Sequence, residues 1–163
     1  MQKEPMLRET YEKLSQELEH LKTVERPAIA RIIDEARELG DLKENAEYHA
    51  AREKQGLMEA RIRELTDILG RAQVIDPATL PHERISFGST VTLCCQDSDE
   101  EVCYTIVGAQ ESDPQKGLIS IYSPMARALM GKEEGDEVEL NLPGGTKCYD
   151  IEEIGYKPID LEK

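Results

Sequence analysis

Two stretches of this sequence repeat apolar residues at steps of three and four, and the few residues between them force the chain to double back. Leu7, Tyr11, Leu14, Leu18 and Leu21 make the first stripe; Met58, Ile62, Leu65, Leu69 and Ala72 make the second. Each reads as the seam of a heptad helix. Pro27 interrupts the first helix, which is predicted to kink there or to break and restart, because the ring removes a backbone donor and clashes with the preceding turn. Ile29, Ile32, Ile33 and Ala36 then resume the stripe. The second helix is predicted to begin close to Glu44 or Asn45 and to run to about Ala72. Only "LGDLKEN" joins the two, so they must lie antiparallel as a coiled-coil hairpin. Roughly 30 residues per helix make an arm about 45 Å long. A seam closed within one chain predicts a monomer.

After "VIDPATLPHERI" the period changes to two, in "STVTLCC", "EVCYTIVGA", "LISIYS", "DEVELNL" and "KCYDIEEI". Turn-formers such as "SDPQKG" and "PGGTK" separate these runs, which read as a mostly antiparallel β domain. One short helix interrupts it, "SPMARALMG", with Pro124 suited to the first turn and Gly131 to the C-terminal cap. The fold class is α+β: an arm over 1–76, a linker over 77–83 and a β domain over 84–163.

Residues 1–76 hold 13 Lys+Arg against 17 Asp+Glu, and residues 77–163 hold 7 against 17. Neither half offers a basic surface for covering nucleic acid phosphates. An acidic chain of net charge -14 still serves nucleic acid chemistry if it supplies carboxylates to a metal while another protein holds the polymer. Charges occupy the N-terminal segment where a signal peptide needs an apolar run, and no stretch approaches a membrane span, so a soluble cytoplasmic protein is expected. Cys94, Cys95, Cys103 and Cys148 form no C-x-x-C pair and have no histidine at ligand spacing; reduced, half-buried thiols are expected.

The hairpin turn, "GDLKENAEYHAAREKQG", carries Asp41, Glu44 and Glu47 three residues apart. Asp41 could be the N-cap of the second helix with Glu44 in a box-like arrangement, which the macrodipole also favours. Residues three apart on a helical turn also face one way and can present two carboxylates to one hard cation. Such a pair is half a magnesium site; the other half would come from a partner or substrate. "SPMARALMG" likewise has two readings, since Met125, Leu129 and Met130 suit either core or interface.

The run "GDLKENAEYHAAREKQGLMEARIRELTDILGRAQVID", followed in order by "ISIYSPMARALMGKEEGDEV" and "PGGTKCYDI", resembles the bacterial Gre transcript cleavage factors of the GreA type over almost the whole chain. The resemblance implies a coiled-coil arm and a C-terminal domain of FKBP-like fold. It implies a partner, bacterial RNA polymerase: the C-terminal domain docks beside the secondary channel and the arm passes down it to the active centre. There Asp41 and Glu44 would help hold a second magnesium ion and orient a water, so that the polymerase cuts its own backtracked transcript. The protein would be no enzyme by itself and would bind no cofactor alone, the magnesium being shared with the polymerase.

By the same likeness Asn45 and Tyr48 support the tip; Glu47 continues the acidic stripe, either as part of a solvated face or as a carboxylate behind the metal's direct ligands. Arg37 and Arg52, in a modest basic patch with Lys43 and Lys54, would contact the nascent RNA 3′ end; ordinary helix-surface pairing is the alternative. Ser123, Pro124, Met125 and Ala126 would form the docking surface. A channel-blocking inhibitor of the same fold is the competing function, and an altered acidic tip would favour it. With one Phe and no Trp, the second half lacks the aromatic-lined pocket of a prolyl isomerase.

Overall fold

The computed structural model describes residues 3–41 and 44–159. The chain forms two compact units: residues 11–72 make one, and residues 3–10 together with 73–159 make the other.

The first unit is helical. α1 (Arg8–His20) runs into one turn of π-helix over Leu21–Glu25, then α2 (Arg26–Arg37), and α3 (Ala46–Arg71) returns. Pro27 neither breaks the helix nor forces a restart, because the dihedrals stay helical from His20 to Arg26 and the Arg26 N–H reaches back five residues to the Leu21 carbonyl. A π turn takes up one residue more than an α turn and loosens the carbonyls facing a proline ring.

That extra residue resets the stripe. The buried positions step by seven from Leu14 to Leu21, by eight from Leu21 to Ile29, then by four and three to Ile33 and Ala36. Ile32 is left exposed, and on α3 the seam uses Ala51, Met58, Ile62, Leu65 and Ile68, with Leu69 at its margin. The helices are antiparallel. Arg61 pairs with Glu17 at 2.6 Å, Arg26 holds Glu59 by two bonds of 2.9 Å, and Asn45 reaches Ala36, so partners on α3 fall in number as those before it rise.

The second unit carries a five-stranded sheet, in the order β5-β4-β3-β7-β6, built from β3 (Thr90–Cys95), β4 (Glu101–Val107), β5 (Leu118–Ser120), β6 (Glu137–Leu142) and β7 (Gly145–Gly155). Three of its four pairings are antiparallel and β4 with β5 is parallel. Period-two alternation puts Val91, Leu93 and Cys95 of β3 inward, where they meet Ile106, Ile119, Tyr149 and Ile151. α4 (Pro124–Leu129) covers this core with Ala126 and Leu129, both fully buried. It begins at Pro124 and stops before Gly131, whose φ of +82° suits a residue just past a helix end.

A smaller sheet pairs β1 (Glu4–Met6) with β2 (Ala72–Val74). The stripe expected to start at Leu7 therefore starts at Leu14. Met6 and Leu7 are buried in the second unit, where the Glu111 carboxylate accepts the backbone N–H of Leu7 and of Gly108, each at 2.8 Å. Gly88, at φ +84°, lies directly against Pro77; a Cβ there would fall 2.2 Å from that ring. Among the described residues no helix is long and apolar enough to cross a membrane.

Candidate functional site

The turn between α2 and α3 is assembled around Asn45. α2 ends with the Glu38 and Leu39 N–H groups bonded to the carbonyls of Glu35 and Ala36, and Gly40 at φ +122° lets the chain depart. Asn45 Oδ1 accepts the Tyr48 N–H at 3.0 Å, the N-cap of α3. Its Nδ2 donates to the Ala36 carbonyl at 2.5 Å. One side chain thus satisfies a donor at the start of one helix and an acceptor at the end of the other.

The cap reading of Asp41 is corrected by this arrangement. Joining both helix ends takes a donor and an acceptor on one side chain, which an amide has and a carboxylate lacks. Asp41 and Glu44 both precede α3, outside its turns, and both are exposed. Glu47 is exposed in the first turn of α3. Two exposed carboxylates are the oxygen donors that a hard divalent ion takes, but few for a complete shell. Among the described residues no group of three or more His, Cys, Asp or Glu side chains stands ready to hold a metal ion.

Tyr48 is half-buried, with the Arg37 guanidinium carbon 5.9 Å from its ring centroid and His49 edge-on at 5.6 Å. Arg52 is exposed and donates to Gln55, three residues on, at 3.0 Å. Lys54 is exposed as well. Lys43 lies outside the described residues.

In the second unit Ser123 caps α4, its hydroxyl accepting the Ala126 N–H at 3.2 Å. Pro124 is exposed and Met125 half-buried. Ala126 is withdrawn from the candidate docking set, because its methyl is fully buried and has no surface to offer. Tyr122, 40% exposed beside the cap, is the larger apolar side chain there and was not anticipated, since nothing in its sequence context marks it.

All four cysteines are free thiols. Burial and nearby carboxylates push Cys94 and Cys148 up, whereas hydrogen bonds from Ser98 and the turn at Asp97 pull Cys95 down. On the sheet, a hydrogen bond with Glu101, together with some loss of hydration, holds the exposed Glu152 above the usual carboxylate range.

Comparison with known proteins agrees with both units. Residues 4–74 match the family described as transcription elongation factor, N-terminal, and residues 80–156 match that described as transcription elongation factor, GreA/GreB, C-terminal. The chain is 76% identical over 161 residues to the transcription elongation factor GreA of Sulfurovum sp. strain NBC37-1, covering 99% of each chain. It is 64% identical to that of Nautilia profundicola over 98% of each. Among solved structures, GreA/GreB of Nitrosomonas europaea is 28% identical with a TM-score of 0.43, over 94% of this chain and 100% of that one. The chain belongs to the GreA/GreB family of transcription elongation factors.

Proposed function

We propose that this elongation factor acts through bacterial RNA polymerase, stimulating the polymerase's own cleavage of backtracked RNA so that arrested complexes resume. Asp41 and Glu44 carry the reading: two exposed carboxylates at a helix-to-helix turn, in a family of elongation factors. On this reading the helical unit enters the polymerase's secondary channel and the two side chains complete the ligand set of a magnesium ion held in the active centre. An ion so held supplies Lewis-acid polarisation of the scissile phosphodiester. Asn45 fixes the turn, Arg52 faces the displaced RNA 3′ end, and Ser123, Pro124 and Met125 with Tyr122 meet the polymerase at the channel rim. The factor works as a monomer in the cytoplasm.

The test is transcript shortening in a purified backtracked complex, comparing the wild type with the Asp41→Asn/Glu44→Gln double variant. Cleavage with the wild type, lost in a variant that still binds polymerase, is the expected result. Arrest of elongation without cleavage would turn the assignment to a channel-blocking inhibitor, and absence of binding would remove polymerase as the partner.

A further inference from the structure

We propose that Arg37 is a positioning residue, whose guanidinium over the Tyr48 ring locks the end of α2 to the first turn of α3 and thereby fixes the connection that bears Asp41 and Glu44. The proposal rests on the functional reading above and departs from it on one residue, since the basic patch would otherwise send Arg37 to RNA.

Arg37 is the last residue of α2 and Tyr48 the third of α3, so their contact spans the connection from one side to the other. The same two helix ends are joined a second time by Asn45, through the Ala36 carbonyl and the Tyr48 N–H. Ala36 and Arg37 are consecutive, and Tyr48 takes part in both joints. His49 stands edge-on to the Tyr48 ring at an interplanar angle of 68°. The half-buried Tyr48 offers the aromatic face that a guanidinium favours. A connection pinned at both ends keeps its carboxylates near one geometry, and placing a metal ligand or reacting group is where small displacements cost most rate.

The test is a double-mutant cycle on transcript cleavage by the full-length factor, with Arg37→Met, Tyr48→Leu, their combination, and Tyr48→Phe, all checked for unchanged helical content. Each single variant is expected to slow cleavage about two- to fivefold. The combination should fall no further than the worse single, and Tyr48→Phe, which keeps the ring, should match the wild type. In the free protein Arg37→Met should move the Tyr48 ring resonances. An additive cycle, in which the two losses multiply, overturns the proposal in favour of separate roles; so do unmoved ring resonances, or single variants that cleave at the wild-type rate. If the wild type promotes no cleavage, the functional reading fails instead, and the ring resonances alone decide whether the joint exists.

Discussion

The carboxylate of Glu111 accepts the backbone N–H of Leu7 at 2.8 Å, joining residues 104 apart in sequence. A second N–H, that of Gly108, enters the same buried carboxylate, and the backbone of Pro5 packs where any side chain at position 108 would stand. Glu111→Ala leaves two buried donors without an acceptor. The expected loss is about 3 kcal/mol in urea unfolding of the second unit, whereas Glu111→Gln, which keeps one acceptor oxygen, should lose less.

Asn45 supports a prediction that separates its two bonds. Asn45→Asp retains the acceptor for Tyr48 but gives up the donor to Ala36, and Asn45→Ala gives up both. The alanine variant should lower the stability of the helical unit by about 1 kcal/mol or more. The aspartate variant should keep most of that stability and still slow transcript cleavage, because the connection then loses its amide link to the end of α2. Equal cleavage by Asn45→Asp and wild type would show that the link to Ala36 does nothing for the tip.

Acid should reveal the Arg26–Glu59 pair. The hydrogen bond from Arg26 holds Glu59 below its ordinary range, so the folded state binds its proton less readily than the unfolded chain does. The contribution is fully present above the ordinary carboxylate pKa and is lost as pH falls through the lower, folded value. Glu59→Gln should therefore melt earlier than wild type at neutral pH, and the two curves should merge in strong acid. The pair is exposed, and added salt should shrink the difference.

Glu152 has the opposite sign. Its proton is held more firmly in the folded state, through Glu101, so the penalty is absent below the ordinary carboxylate pKa and grows as pH rises through the raised value. Glu152→Gln should raise the thermal midpoint at neutral pH and leave it unchanged in acid. A variant that melts earlier than wild type at neutral pH would mean the carboxylate is stabilising after all.

The π turn and Pro27 should be energetically coupled. Deleting Val24 shortens the step from Leu21 to Ile29 to seven residues, a plain heptad, but drives the proline ring against an α-helical carbonyl, at about 3 kcal/mol. Deletion combined with Pro27→Ala should recover most of that loss. Thermal melts of the three proteins decide it: equal losses in the deletion and the double variant would show that Pro27 is not what the π turn accommodates.

The far end of the second helix was legible in the sequence, because Ala72 stands where the apolar period changes. α4 was equally plain from Pro124 and Gly131. The phase of the first helix was not, since apolar spacing can be read through an α turn or a π turn and only the packed seam chooses between Ile32 and Ile33. Leu7 fits a heptad by spacing and yet lies in the second unit, for its partner, Glu111, is a hundred residues away and carries no local signal. At the tip, residue types pointed to Asp41 and Glu44, but which residue capped α3 depended on the Ala36 carbonyl across the turn, a tertiary acceptor that no local pattern reports.

The division of the chain sets an order of events during its own synthesis. The second unit takes residues 3–10 from the start and 73–159 from the end, with residues 11–72 an excursion between them. The helical excursion leaves the ribosome early and its contacts are local, so it can fold while translation continues. The first strand emerges before it and must wait, its backbone bonded only to water, until Ile75 arrives to donate to Met6 and Glu111 to receive Leu7. Folding of the second unit therefore waits on Glu111, whereas the helical unit needs nothing beyond residues 11–72.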